Sequence, residues 1–196
     1  MILYLIRHGK TKCNEERSYC GSTNVSLSEL GRKELEERRS KLKYPTCKLN
    51  FTSGAKRANE TFELIYPHAK YKENKDFWEY NFGDFELKTY DMLKEDQRYI
   101  DWICDKSSEV ACPNGESRKE FYTRLKNAFI SFLGDLKLNG ENEALVVCHG
   151  GTIGTLLELF YDGGKDFYSY QPKCGGGYKL KINIDEEVKM EILEEF

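Results

Sequence analysis

The run Leu3-Tyr4-Leu5-Ile6-Arg7-His8-Gly9 constrains the chain more than any other stretch. An apolar segment that stops at Arg-His-Gly reads as a buried strand delivering a guanidinium and an imidazole to the edge of a sheet. That edge is where open α/β sheets bind ligands. A second apolar run, Ala144-Leu145-Val146-Val147-Cys148, also ends in His-Gly, at His149-Gly150, and the helical pattern of Ile153, Leu156, Leu157 and Phe160 follows it. The chain's remaining histidine is His68. One His-Gly is as readily a turn with a satisfied imidazole as a site. Two strands that end alike can bring two rings to one sheet edge.

Between these strands the pattern alternates strand and helix. Lys10 to Thr23 is polar and turn-rich, and reads as a loop whose Thr11, Asn14, Arg17 and Gly21 offer hydroxyl, amide and backbone donors to a ligand. Ser28 is a candidate N-cap for a charged helix over about residues 28 to 42. Leu49 to Ser53 reads as a short strand. Ala55, Ala58, Phe62 and Ile65 then mark one helical face, which puts Arg57 in the first turn near another strand end. By residue type alone, Arg57 is an exposed arginine.

From Tyr71 to Pro113 the pattern changes: Phe77, Trp78, Tyr80, Phe82, Phe85, Tyr90, Tyr99 and Trp102 crowd a stretch rich in Lys, Asp and Glu. Such an excursion forms a lid or pocket wall, or a small satellite core. Ser117 to Glu120 is a capping-box pattern that opens a long amphipathic helix through Phe121, Leu125, Ala128, Phe129, Phe132 and Leu136. Tyr178 to Ile184 and Val188 to Leu193 are two strands joined around Asp185-Glu186-Glu187, a hairpin at the sheet's margin.

Composition narrows the function classes. The length of 196 residues suits one domain, or a core with a modest insertion. No apolar run approaches the ~20 residues of a membrane helix. The N-terminal run is too short, and too soon interrupted by Arg7, to be a signal peptide. The expected location is therefore the cytoplasm, with no membrane partner. A formal net charge of −3 gives no electrostatic reason to expect nucleic acid. Seven cysteines without a C-x-x-C pair read as free thiols. Cys148 and His149 are strand neighbours that point to opposite faces, so no metal site is expected.

The order Arg7-His8-Gly9, Asn14, Thr52-Ser53 with Arg57-Ala58 and Thr61, Glu79 with Gly83, Gly115-Glu116-Ser117, and His149-Gly150-Gly151 resembles the histidine phosphatase superfamily, from residue 3 to about residue 157. The resemblance implies the phosphoglycerate mutase-like fold: an α/β protein of three layers, a mostly parallel sheet flanked by helices, with a small helical and loop insertion over the active site. Residues 1–196 would form one domain with an aromatic-rich lid at about 72–113. It also implies that His8 is the nucleophile, Glu79 the general acid and base, and His149 a second catalytic histidine that holds the phosphoryl group. Arg7, Thr11, Asn14, Arg57, His149 and Gly150 would bind the phosphate. The residue types suit that chemistry: guanidinium forks match phosphate oxygens, and a helix opening at Gly150-Gly151-Thr152 favours an anion.

The implied function is hydrolysis of a small phosphomonoester through phosphohistidine, without cofactor or metal. The compact chain and its Gly-Glu-Ser segment resemble the branch of alpha-ribazole 5'-phosphate and broad-specificity phosphatases. A cofactor-dependent phosphoglycerate mutase and a non-catalytic phosphate-binding module are the alternatives. Departures fall at the rim: Arg17-Ser18-Tyr19-Cys20-Gly21 is one residue longer than the family's usual Arg-x-x-Gly, and Asn24-Val25-Ser26-Leu27 lacks the usual Asp and Pro. Cys20 should therefore stand at the pocket rim. A rival nucleophile is Cys112, because Cys112 to Arg118 fits the C-x-x-G-x-x-R spacing of cysteine-dependent phosphatases.

Overall fold

The computed structural model describes residues 1–164 and 166–196. Its strands are β1 (Ile2–Arg7), β2 (Asn50–Thr52), β3 (Lys72–Glu73), β4 (Glu143–Cys148), β5 (Gly177–Ile184) and β6 (Val188–Glu195), in the sheet order β3-β2-β4-β1-β5-β6. The first four in that order run parallel. β5 returns antiparallel to β1, and β6 pairs with it as the expected marginal hairpin.

Strand alternation explains the three layers. Leu3 and Leu5 of β1, with Ala144, Val146 and Cys148 of β4, face one side, and Tyr4, Ile6, Leu145 and Val147 face the other. Both faces are covered, which is why these strands read as continuous apolar runs. On the first face lie α6 (Arg118–Leu138) and α7 (Gly150–Phe160), through Leu125, Phe129, Ile153 and Leu156. On the second lie α2 (Glu29–Lys41) and α3 (Lys56–Ile65), through Leu35, Ala58 and Phe62. Ser28 caps α2 by accepting from Gly31 N, and Ser117 with Glu120 forms the capping box of α6.

Two segments differ from the sequence reading. Lys10 to Thr23 is not loop throughout: α1 (Lys12–Glu16) is closed at its start by a reciprocal Thr11–Asn14 capping box. It ends at Arg17 in the left-handed region, φ 57°. A helix this short carries no periodicity to detect, and its cap uses Asn14 where the usual pattern has Glu or Gln. The two-residue β3 was likewise illegible.

The aromatic stretch supplies a pocket wall, and its buried rings belong to the main core rather than to a satellite one. It folds as two 3₁₀ turns with α4 (Tyr90–Leu93) and α5 (Gln97–Ile103). Phe77, Tyr80, Phe85 and Tyr99 join the main core continuous with the sheet. Phe82 and Trp102 are only partly buried and, with Tyr19 and Tyr80, line a cavity at the carboxyl ends of the parallel strands. Among the described residues no helix is long and apolar enough to cross a membrane.

Candidate active site

Register brings the histidines together. β1 and β4 pair in parallel with Arg7 opposite Cys148, so the next residues, His8 and His149, leave the sheet side by side with ring centroids 5.2 Å apart. β2 lies on the other flank of β4, with Thr52 opposite Val147, and delivers Ser53 to the same edge. Ser53 Oγ is 2.8 Å from His149 Nε2. Ser53 is a site residue to which sequence reasoning gave no role.

His8 is fixed in one tautomer. Its Nδ1 lies 2.7 Å from the Gly9 carbonyl, which can only accept, so the proton sits on Nδ1 and the lone pair on Nε2. Arg57 Nε donates to that lone pair at 3.3 Å. Arg57, expected to be exposed on residue type, is 1% exposed. Its Nη2 and Nη1 donate to the Gly21 and Thr23 carbonyls at 2.7 and 2.9 Å. Arg7 Nη1 donates to the Pro172 carbonyl at 2.9 Å. Carbonyls orient both guanidiniums without cancelling their charge.

Burial and the nearby guanidinium groups of Arg57 and Arg7 hold His8 well below the ordinary imidazole pKa; burial, Arg57 and His8 itself do the same to His149. Both rings are therefore neutral near pH 7. Arg7 Nε and His149 Nδ1 are buried with no protein partner. Leaving such groups unpaired costs about 1–3 kcal/mol each, a cost an anion between them would remove. Asn14 lines the cavity. Its Oδ1 accepts from Thr11 N and Oγ, which leaves the amide N–H groups as its free donors. Thr11, expected to touch phosphate, does not line the cavity; its hydroxyl is engaged in this cap.

Glu79 reaches the same centre from the aromatic segment. Its carboxyl accepts from Gly151 N at 2.8 Å and from Tyr80 N at 3.0 Å. Burial pushes its pKa up, against the opposing pull of those amides and of Arg57 and Arg7. Glycines permit the approach. A Cβ on Gly150 would stand 2.9 Å from Arg7 Cζ, and one on Gly151 would overlap Glu79 Oε1. The Glu79 to Gly83 and Gly115 to Ser117 segments interlock in the same way: a Cβ on Gly83 would stand 2.6 Å from Gly115 N, and Gly83 has φ 51°.

The cavity is about 390 Å³. Beyond Arg7, His8, Asn14, Glu79, Gly150 and Gly151, its walls include Tyr19, Cys20, Phe82 and Trp102 on one side and Arg118, Tyr122, Phe167, Tyr168 and Gln171 on the other. Cys20 thus stands at the rim as expected. The 167–171 wall has no periodic signal and was missed. Cys112 does not line the cavity; it is buried, and burial pushes its thiol up to about 12, which removes it as a thiolate nucleophile. Among the described residues no three His, Cys, Asp or Glu side chains are grouped to hold a metal ion.

The buried rings make stability depend on pH with a definite sign. Unfolded imidazoles titrate near ~6.5. Below that pH the unfolded chain binds protons that folded His8 and His149 refuse, so these two contribute stability that is lost as pH falls. Glu79 acts oppositely, because its folded pKa is raised: its contribution is greatest at low pH and is lost as pH rises through that value. Urea unfolding between pH 7 and 5 should show His8→Gln reducing the proton uptake on unfolding by about one proton and Glu79→Gln increasing it. Unchanged slopes in both variants would mean that neither group is held in the protonation state described.

Residues 3–174 match the model of the histidine phosphatase superfamily, branch 1. The chain is 30% identical over 170 residues to the "uncharacterized phosphatase PhoE" of Bacillus subtilis, covering 84% of this chain and 80% of the relative. It is 30% identical over 161 residues to the adenosylcobalamin/alpha-ribazole phosphatase of Salmonella typhimurium, covering 80% and 78%. A phosphoglycerate mutase of Schizosaccharomyces pombe is 29% identical over 164 residues, covering 80% and 77%. In fold the chain is similar to the crystal structure of a putative alpha-ribazole-5'-P phosphatase from Escherichia coli, with TM-score 0.83 and 24% identity over 98% of this chain and 95% of that one. The chain belongs to branch 1 of the histidine phosphatase superfamily, and is a phosphatase with the phosphoglycerate mutase-like fold.

Proposed function

We propose that this phosphatase hydrolyses a small phosphomonoester through a phosphohistidine on His8. The observation that carries the reading is the convergence of three features: a neutral His8 whose Nε2 lone pair faces the Arg57 guanidinium, and the Arg7 guanidinium and a buried carboxyl lining the same cavity as His8. Phosphoryl transfer asks mainly for positioning and for cationic groups around the equatorial oxygens. Arg7, Arg57, the Asn14 amide, His149 and the amide of Gly150 supply these. If the Ser53 hydroxyl donates to His149 Nε2, the His149 proton sits on the unpartnered Nδ1 and points to the phosphoryl group. Thr11 acts through Asn14.

In the first step His8 Nε2 forms the N–P bond as the P–O bond to the leaving group breaks, and protonated Glu79 gives its proton to the departing oxygen. In the second, the Glu79 carboxylate takes a proton from water. The water oxygen attacks phosphorus, the N–P electron pair returns to Nε2, and inorganic phosphate leaves. The raised Glu79 pKa suits it to the acid role of the first step. Residues 72–113 serve as the wall and lid over this chemistry.

The substrate placed first is alpha-ribazole 5'-phosphate, or another nucleotide-like phosphate ester whose leaving alcohol carries a flat heterocycle. Relatives from Escherichia coli and Salmonella typhimurium are named adenosylcobalamin/alpha-ribazole phosphatase, and the cavity is walled by aromatic rings. Relatives named phosphoglycerate mutase favour a second reading. A bisphosphorylated intermediate would need further cations, yet Arg118 is the cavity's other cationic side chain among the described residues, and it is paired with Glu158 at 3.5 Å.

In the presence of a chelator the enzyme should release phosphate from p-nitrophenyl phosphate, and His8→Ala should lower that rate by ~10³-fold or more. Alpha-ribazole 5'-phosphate should exceed 3-phosphoglycerate in kcat/KM, with negligible conversion of 3- to 2-phosphoglycerate; the reverse ranking would favour the mutase. Gly151→Ala, whose Cβ overlaps Glu79 Oε1, should cost ~10²-fold on an alkyl phosphate, and a rate within twofold of wild type would count against Glu79 as the acid.

A further inference from the structure

Arg124 lies in the second turn of α6, outside the cavity lining, and reaches the loop that carries Glu79. All five of its N–H donors are engaged. Nε and Nη2 fork onto the Glu116 carboxylate at 2.7 and 3.1 Å. Nη1 donates to the carbonyls of Asp76 and Trp78 at 3.2 and 3.3 Å, and Nη2 to that of Glu79 at 3.3 Å. Glu116 closes the other side. Its Oε2 accepts from Asn81 N at 3.0 Å, its backbone N donates to the Asn81 carbonyl at 2.9 Å, and its carbonyl accepts from Tyr80 Oη at 2.6 Å. The Phe121 ring lies 5.2 Å from the guanidinium carbon.

The loop held in this way is otherwise irregular. Residues 78–82 belong to no strand or helix, and Glu79 must place its carboxyl on Gly151 N across the cavity floor. Its own backbone carbonyl and those of the two neighbouring anchor residues are gripped from behind by one rigid fork. A carboxyl on a free loop would sample many positions; proton transfer needs the donor within hydrogen-bond reach of the departing oxygen.

We infer that the Arg124–Glu116 pair is a positioning device for the proton donor: it touches neither substrate nor reacting atoms, and it sets where Glu79 stands. The inference rests on the reading of Glu79 as general acid and base. Lysine cannot replace Arg124, because three donors on one nitrogen cannot span a carboxylate and three carbonyls.

The test uses leaving-group dependence. kcat/KM reports only steps through the first irreversible one, here transfer to His8 with loss of the alcohol. An aryl leaving group such as p-nitrophenolate departs without a proton, whereas an alkoxide does not. For Arg124→Ala and Glu116→Gln, kcat/KM on p-nitrophenyl phosphate should fall less than ~5-fold and on a primary alkyl phosphate by ~10²-fold, the scale of general acid catalysis. Arg124→Lys should resemble Arg124→Ala. Glu116→Gln keeps the shape of the side chain and guards against a variant that fails to fold. Placed in a Glu79→Gln background, Arg124→Ala should add less than ~3-fold on the alkyl ester, since a positioning residue has nothing left to position. Equal losses on both esters, or full additivity with Glu79→Gln, would overturn the inference while leaving the phosphatase reading intact. Wild-type enzyme inactive on both esters would overturn that reading, and this inference with it.

Discussion

Parallel pairing of β1 with β4, with Arg7 opposite Cys148, is the constraint on which the site depends. A slip of β1 by one residue would turn Leu3 and Leu5 to the wrong face of the sheet. The buried faces thus fix the register, and the register fixes the distance between the two imidazoles. Hydrophobic packing far from the cavity is in this sense what holds His8 and His149 together.

Electrostatics then follows from where those strands end. A buried guanidinium, Arg57, and a half-buried one, Arg7, stand beside two buried imidazoles, and the imidazoles respond by staying neutral. A neutral His8 keeps a lone pair on Nε2. The same cations lie at the mouth of α7, whose second residue already donates to Glu79. Positive potential gathered at one point, with a carboxyl whose pKa burial pushes up, suits a phosphoryl group entering as a dianion and leaving its alcohol protonated.

Much of this was legible in the sequence because strand and helix periodicities are local. The apolar runs ending at His8 and His149, the capping box at Ser117 and the hairpin after Tyr178 each carry their signal within a few residues. Arg57 was placed at the right strand end, but its burial was not readable, since it depends on carbonyls of Gly21 and Thr23 across the chain. Thr11 carried the right residue type for phosphate and was instead consumed by the cap of a five-residue helix. Ser53 and Glu116 stood in the motif without a role, and Arg124 stood outside it, for one shared reason: each acts through a contact made only by the folded chain. Arg124 meets Glu79 across 45 residues of sequence, and no pattern within α6 announces it.

The central claim is that His8 Nε2 carries the phosphoryl group between the two half-reactions. Rapid quenching into base of enzyme turning over a ³²P-labelled aryl phosphate, followed by proteolysis and mass spectrometry, tests it most directly. The account predicts acid-labile, base-stable label on the peptide containing His8. Label on the peptide of His149, of Cys112 or of any other residue would contradict it.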